Sequence, residues 1–243
     1  MLELGLVGVG VGFVSGFFGI GGGTVLVPVL VYLGYDIKVA IGISVMQMVF
    51  SSILGSYVNY RHGKLVLNDG LLVGLGGFVG ATQSGVIVAA LSGQMLMAIF
   101  ALALVFSLYR FVRAPAVPSG EAVRSRPLLF GLGFFVGMMA ISIGIGGALF
   151  LTPVLVGMMR YDIKRAVSMG LFFVIFSSVS GFISMSYHGL IDYHAGLVLG
   201  IASLAGVYVG AKQSHVVGRK KQKYLLIGLY AILLAITLNK LLG

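Results

Sequence analysis

Apolar runs of about 20 residues alternate with short polar stretches along almost the whole chain. A hydrocarbon core of about 30 Å needs about 20 residues of helix, so each uninterrupted run is long enough to cross a membrane. Two further apolar stretches, one at the start of each half, are interrupted by glycines. The pattern predicts two interrupted segments and six full spans, at 4–33, 37–60, 68–91, 95–112, 128–158, 164–187, 194–212 and 224–242.

Composition places this all-helical pattern in a membrane. Hydrophobic residues make up 59% of the 243 positions, charged residues only 9%, and the mean hydropathy is +1.10, whereas a soluble domain has about 25% charged residues. The net charge of +10 comes from 16 Lys and Arg in short clusters between apolar runs, which is typical of membrane loops and argues against a nucleic-acid partner. The absence of cysteine excludes disulfides, thiolate metal sites and cysteine catalysis.

The interrupted segments are two copies of one motif. Gly19–Gly23 reads GIGGG and is followed by Pro28, while Gly144–Ala148 reads GIGGA and is followed by Pro153 at the same spacing. The letters YDIK, FSS and HG then follow each copy in the same order. The chain therefore consists of two homologous halves.

The repeat also sets the domain organisation. We predict a first membrane repeat at 1–112, a polar cytoplasmic linker at 113–127 and a second membrane repeat at 128–243. A further similarity, between GATQS at Gly80–Ser84 and GAKQS at Gly210–Ser214, requires a four-residue insertion in the second half.

The charges choose between two geometries for the interrupted segments. If each segment crosses the membrane once, Lys and Arg divide almost evenly between the two sides. If each turns back at its glycines, 14 of the 16 lie on one side and only Lys38 and Lys240 on the other, as the positive-inside rule prefers. This geometry inverts the two halves and places both termini on the non-cytoplasmic side. A hairpin that crosses twice gives the same parity, but 24–33 makes only ~15 Å of helix, which favours a re-entrant hairpin with its tip near the midplane.

Glycines at such a tip permit a sharp reversal and close approach of the backbone. The half-helix that begins near Thr24 presents amides without intrahelical partners at its positive end, which is suited to an anion. Paired interrupted segments also point to the substrate site of a transporter. The predicted tip residues of the site are Gly19, Gly21, Gly22, Gly23, Thr24, Gly144, Gly146, Gly147 and Ala148. The alternative role, tight helix packing, is predicted for Gly8, Gly12, Gly16, Gly76, Gly80, Gly206 and Gly210.

Polar residues inside the spans complete the candidate site. Two serine pairs occupy matching places, and their hydroxyls either donate to an oxyanion or bond to carbonyls of their own helix. These serines are Ser51, Ser52, Ser177 and Ser178. Gln47 lies one turn before Ser51, but its counterpart is Phe173, so the site is predicted to be asymmetric.

Four further polar residues are assigned by their position. Gln83 and Gln213 are expected to face protein or a cavity, because an amide is costly to leave in lipid. Asp36 and Asp162 come directly before an apolar helix, and we predict that they are N-caps.

His62 and His188 are predicted to lie at helix ends, near the interface. Because no carboxylate lies in the middle of a span, proton coupling through a buried acid has no support. Coupling to pH through substrate protonation or a histidine stays open.

The doubled glycine motif with its proline, leading each time through YDIK to an apolar helix, resembles the sulfite exporter TauE/SafE family of membrane transporters, related to 4-toluene sulfonate uptake permeases. The resemblance covers both halves. It implies transport of sulfur-containing oxyanions, such as sulfite, sulfonates or related small organic anions, in either direction. The second motif departs from the first in having Ala148 where Gly23 stands, which raises the question of whether both tips offer equal backbone donors.

We therefore expect an all-α integral membrane protein with two inverted-topology repeats, each a glycine-interrupted re-entrant hairpin and three transmembrane helices. It would be a multi-pass secondary transporter of the bacterial or archaeal inner membrane, binding a small anion between the tips and working by alternating access. An anion channel on the same fold and a carrier of a non-sulfur carboxylate are the alternatives. No set of residues suited to hydrolysis or nucleotide chemistry is present, so we expect neither an enzyme nor a cofactor or metal. The oligomeric state is left open.

Overall fold

The computed structural model describes residues 2–63, 65, 67–113, 122 and 124–242. The predicted linker at 113–127 lies largely outside these residues. Within them the chain forms helices joined by short turns, without a strand. The helices are α1 (Leu2–Phe18), α2 (Gly23–Tyr32), α3 (Ile37–Arg61), α4 (Leu67–Ala81), α5 (Ser84–Ala90), α6 (Gly93–Arg113), α7 (Arg126–Ser142), α8 (Ala148–Gly157), α9 (Ile163–Tyr187), α10 (Tyr193–Val216) and α11 (Arg219–Leu242).

Six helical stretches of the described chain are long and apolar enough to cross a membrane. They are Ile37–Arg61, Leu67–Ala90, Gly93–Arg113, Ile163–Tyr187, Tyr193–Val216 and Lys220–Leu241. Each coincides with one of the predicted full spans, which confirms an all-helical, multi-pass membrane protein. The helices on either side of the glycine motifs are shorter, and α2 and α8 have 10 residues each.

The caps predicted at the start of the second helix in each half are confirmed. The Asp36 carboxylate accepts a hydrogen bond from the amide of Lys38 at 2.8 Å, and Asp162 accepts one from the amide of Lys164 at 2.9 Å. Each bond satisfies an amide that the first turn of a helix leaves without a partner. His62 and His188 are the C-caps of α3 and α9, as their predicted place at helix ends requires.

One predicted span is not a single helix. The sequence predicts a continuous helix at 68–91, but α4 ends at Ala81 and α5 begins at Ser84. The turn is stabilised from outside by Ser184 of α9, whose hydroxyl donates to the Thr82 carbonyl at 2.7 Å and accepts from the Gly85 amide at 3.0 Å. A side chain from another helix thus satisfies the backbone groups that the break releases.

The two halves interleave through their first helices. Helix α1 packs along α10 of the other half, and α7 packs along α4. Glycines make both contacts close: a Cβ on Gly12 would overlap the Ser203 carbonyl, and a Cβ on Gly137 would overlap the Gly77 carbonyl. The predicted packing role of the spaced glycines is therefore confirmed for both helix pairs, α1 with α10 and α4 with α7.

The contacts also correct the alignment of the halves. Lys38 Nζ donates to the Ala89 carbonyl at 3.1 Å, and Lys164 Nζ donates to the His215 carbonyl at 2.8 Å, so donors and acceptors are both 126 positions apart. The helices that follow begin at Gly93 and Arg219, again 126 positions apart.

The four-residue insertion predicted from the GATQS and GAKQS similarity is therefore wrong. Gly80 packs against the Phe134 carbonyl of α7, while Gly206, 126 positions later, packs against the Val9 carbonyl of α1. Gly210 lies one turn further along α10. The similarity of GATQS and GAKQS gave a wrong alignment because small residues recur about once per turn where α4 and α10 pack against their partner helices.

Candidate functional site: the paired glycine tips

The glycine-rich turns between α1 and α2 and between α7 and α8 are buried at the centre of the protein. We call residues 19–24 the first tip and residues 144–149 the second tip. Every residue of 15–24 and 140–149 is buried. The two tips contact each other: Thr24 Oγ1 donates to the Ile145 carbonyl at 3.3 Å, and a Cβ on Gly23 would overlap the Gly144 carbonyl.

The glycines are required by the backbone path. Three residues in each tip have a positive φ, which a residue with a Cβ adopts only at a cost. The angles in the two tips agree within 1°: +69° at Gly19 and +70° at Gly144, +79° at Gly21 and Gly146, and +81° at Gly22 and Gly147.

Each tip ends in a helix start with free amides. In α2 the amides of Val25 and Leu26 donate to the Gly22 carbonyl at 3.1 and 3.0 Å. The preceding amides, of Gly23 and Thr24, have no acceptor within the described chain. They carry the positive end of the helix dipole.

The second tip repeats this arrangement despite its alanine. The amides of Phe150 and Leu151 donate to the Gly147 carbonyl at 3.1 and 2.9 Å, and those of Ala148 and Leu149 have no acceptor among the described residues. Because Ala148 is the first helical residue and lies after the positive-φ positions, its Cβ does not alter the turn. The tips thus offer equal backbone donors, which answers the question raised by the Ala148 substitution.

Gln47 is the polar side chain that stands out beside the first tip. It is 0% exposed, and neither Oε1 nor Nε2 has a hydrogen-bond partner in the described structure. A Cβ on Gly22 would lie 2.6 Å from Oε1, so the amide group lies directly against the N-cap of α2. Burying an unpaired amide is costly, which makes Gln47 a candidate functional residue.

The predicted asymmetry between the halves is present at this position. Phe173 stands where Gln47 stands in the first half, and its ring fills the space beside Gly147 and Gly77. The first tip therefore has a polar neighbour, and the second tip has an aromatic one.

All four predicted serines bond to carbonyls of their own helix, and one of them also bonds to a tip. Ser51 Oγ donates to the Gly21 carbonyl of the first tip at 3.3 Å and also lies 3.3 Å from Met48 O of its own helix. Ser52 bonds to Val49 O at 3.4 Å. In the second half, Ser177 and Ser178 bond to carbonyls of α9 at 3.2 and 3.4 Å. Ser51 alone of the four reaches a tip.

Two buried hydroxyls near the tips were not predicted from the sequence. Ser44 Oγ donates to the Gly144 carbonyl at 2.9 Å. Thr152 Oγ1 is buried without a partner, beside Gly170 and Ala148. The sequence carries a signal for Ser44, because it lies three residues before Gln47 and so shares its helix face.

Gln83 and Gln213, which were expected to face protein or a cavity, are both exposed and so are not buried against protein. Gln83 lies at the break between α4 and α5, where its Nε2 donates to Thr82 Oγ1 at 3.4 Å. Gln213 lies in the last turn of α10. A helix break and a helix end both place the amide where it need not be buried, and the described hydrogen bonds of these residues do not reach the tips.

Comparison with known proteins places this architecture in a family. A sequence profile described as "Sulfite exporter TauE/SafE" matches residues 4–238. The chain belongs to the sulfite exporter TauE/SafE family. The match includes both glycine tips, five full spans and most of the sixth, so it agrees with the resemblance drawn from the doubled motif.

Relatives of this family member are named as membrane transporters. The chain is 29% identical over 210 residues to "Probable membrane transporter protein YdhB" of Bacillus subtilis, covering 83% of this chain and 85% of the relative. It is 23% identical over 261 aligned positions to "Probable membrane transporter protein YunE" of the same organism, covering 96% and 93%. A "Probable membrane transporter protein" of Haemophilus influenzae is 28% identical over 193 residues, covering 76% and 73%. No solved structure matches the chain. These names are consistent with a protein that is not an enzyme.

Proposed function

We propose that this protein is a secondary transporter that moves a small sulfur-containing oxyanion across the inner membrane and binds it between the two glycine tips. The observation that carries the proposal is Gln47, which is fully buried with both polar atoms unpaired against the N-cap of α2. An anion at this place would accept a hydrogen bond from Gln47 Nε2. It would also accept bonds from the free amides at the starts of α2 and α8.

Such a site fits an oxyanion in particular. The free amides of two helix starts bring several N–H donors and two positive dipole ends to one buried region. Hydrogen bonds to charged groups are worth about 1.5–3 kcal/mol each, enough to offset the loss of hydration of a small anion only when several act together. The family description supplies the sulfur chemistry, and a non-sulfur carboxylate is the alternative that the same donors would accept.

We propose further that the two halves are inverted in the membrane and that each glycine motif forms a re-entrant hairpin. The supporting contacts involve three helix ends. The Lys164 side chain, at the start of α9, donates to the His215 carbonyl near the end of α10. The His215 ring stacks on His62 at the end of α3, with 4.4 Å between ring centroids. The start of α9 therefore lies near the end of α3, as antiparallel equivalents require.

The direct contact between the tips favours a carrier over a channel. The tips are buried and hydrogen-bonded to each other, so in this conformation an anion has no continuous path between them. Exchange between inward- and outward-open states would require one tip to separate from the other, which is the behaviour expected of alternating access.

Transport itself tests the proposal. Liposomes containing the purified protein are loaded with one unlabelled anion: sulfite, thiosulfate, an alkyl or aryl sulfonate, sulfate or a carboxylate. Uptake of the same anion in labelled form from outside is then followed. Saturable uptake that is accelerated by unlabelled anion on the opposite side supports a carrier. Rapid unsaturable flux would support the channel, and a response to carboxylates alone would overturn the sulfur assignment.

Topology can be tested on the same protein because it contains no cysteine. The single variants Arg61→Cys and Lys240→Cys are labelled in intact cells with a membrane-impermeant maleimide. We expect labelling at position 240 and not at position 61. Labelling of both from outside would contradict the inverted arrangement.

A further inference from the structure

Helix α3 forms hydrogen bonds with both tips, and its counterpart α9 forms none. Ser44 Oγ donates to Gly144 O at 2.9 Å, and Ser51 Oγ donates to Gly21 O at 3.3 Å. On α9 the corresponding positions are Gly170 and Ser177, and Ser177 bonds to its own helix. The serine hydrogen bonds to both tips therefore come from α3 alone of these two helices.

The missing bond of the second half can be located. A Cβ on Gly170 would lie 3.3 Å from the Gly19 carbonyl and 3.0 Å from the Ala148 Cβ. Gly19 is the counterpart of Gly144. The Gly19 carbonyl therefore corresponds to the Gly144 carbonyl, which accepts the hydrogen bond from Ser44. Within the described chain it accepts no hydrogen bond, because Gly170 has no side chain to donate one.

In each half, the residue on the long helix and the residue in the tip facing it differ in opposite directions in size: Ser44 faces Gly23, and Gly170 faces Ala148. A Cβ on Gly23 would lie 2.5 Å from Ser44 Oγ, so a serine at position 44 requires a glycine in the first tip. The second half has the reverse pair, with Ala148 in its tip facing Gly170. Because Gly23 has no side chain, Ser44 fits beside the first tip and bonds to the second tip.

We propose that Ser44 is a positioning residue of the anion site: its hydroxyl holds the Gly144 carbonyl and so aims the free amides of Ala148 and Leu149 at the anion. This inference rests on the proposed function. The bond crosses from the first half to the second, so the second tip stays fixed to α3. The first tip has no equivalent bond to α9 within the described structure, because Gly170 carries no side chain.

The test is Ser44→Ala, which removes the hydroxyl with little change in volume. Ser203→Ala is the matched control, because Ser203 is also 0% exposed but bonds to the Gly200 carbonyl of its own helix at 2.7 Å. Amide hydrogen exchange of residues 143–149 and 18–24 is measured in detergent without anion, together with the thermal midpoint.

We expect exchange of 143–149 to accelerate about tenfold in Ser44→Ala, since a buried carbonyl is left without its donor. Exchange of 18–24 and of the spans should change less than about twofold. Ser203→Ala should leave both segments as in the wild type. Unchanged exchange of 143–149, or acceleration throughout the protein, would overturn the assignment of Ser44 as the holder of this tip.

Anion uptake gives a second measurement. For an anion that the wild type transports, Ser44→Ala should raise KM about tenfold and change the maximal rate much less, because binding is weakened by the misaligned amides. A fall in maximal rate at constant KM would overturn the positioning role. A wild type that takes up none of the anions would overturn the proposed function, and the exchange measurement would still decide whether Ser44 holds the tip.

Discussion

Replacing Gln47 by leucine should separate stability from function. In the absence of anion, the wild-type amide is fully buried with both polar atoms unpaired. Leucine has a similar size and no group to satisfy. We therefore expect the variant to be more stable than the wild type and to bind anions more weakly.

The magnitude follows from the two unpaired atoms. A buried polar group without a partner costs about 1–3 kcal/mol, so Gln47→Leu should raise the free energy of unfolding by an amount in this range. For a protein of this length, each kcal/mol corresponds to about 2–4 °C in the thermal midpoint. The lost hydrogen bond to a charged ligand is worth about 1.5–3 kcal/mol, which corresponds to anion binding about 10- to 150-fold weaker.

Thermal unfolding of purified protein, with and without a transported anion, measures both effects. The anion should raise the midpoint of the wild type and barely change that of Gln47→Leu, whose midpoint without anion should be higher. Gln94→Leu is the control, since it makes the same chemical change at an exposed position of α6. Its midpoint and its response to anion should match those of the wild type.

A destabilised Gln47→Leu variant that keeps its anion response would refute the reasoning. It would mean that Gln47 has partners in the folded protein and that the anion binds elsewhere. A destabilised variant that also loses the anion response would point to a structural role for the amide.

Three further predictions concern a tip glycine, a glycine in the contact between α1 and α10, and a buried tyrosine between α8 and α9. Gly22→Ala should abolish uptake while the protein still inserts, because the residue has a φ of +81° and its Cβ would lie 2.6 Å from Gln47 Oε1; retained uptake, measured in liposomes at equal protein content, would contradict a site at the tips. Gly206→Leu should lower the free energy of unfolding by about 1–3 kcal/mol or prevent folding, since its Cβ would overlap the backbone of α1; Gly10→Leu, with open space around it, should leave the midpoint unchanged. Burial and the hydrogen bond to Asp69 raise the pKa of Tyr161, which lies between α8 and α9. Unfolded tyrosine releases its proton near pH 10, and the folded protein holds it, so stability should fall as pH rises above about 10. The stability of Tyr161→Phe should fall less over that range. Thermal midpoints measured at several pH values check this, and equal slopes against pH for the wild type and the variant would exclude a contribution from Tyr161.

Hydropathy and spacing were sufficient to predict most of the fold. A span of membrane requires a run of apolar residues of fixed length, so the six full spans could be predicted from the sequence to within a few residues. The caps at Asp36 and Asp162 could be predicted because capping is local, depending on a side chain and an amide two residues apart. The positive-φ turns could be predicted for the same reason, since consecutive glycines in an apolar segment have few other uses.

Register along the long helices could not be predicted from similar letters. Small residues recur once per turn in α4 and α10, so an alignment shifted by four residues keeps the same face and looks equally good. The break at Thr82 and Gln83 was missed because it depends on Ser184, which lies about 100 positions away in the chain. Gln83 is exposed at this break, and Gln213 is exposed in the last turn of α10.

The sequence by itself determined what each segment is: six membrane-spanning helices, two glycine turns, two capped helix starts and one family. Those properties depend on neighbours within a few residues and on the thickness of the bilayer. The tertiary structure alone decided which groups meet at the tips. It showed that Gln47 lies unpaired against Gly22, that Ser44 bonds to the opposite tip, and that Ala148 alters neither turn. These contacts join residues from different halves of the chain, and their pairing depends on how the helices pack, which no local pattern encodes.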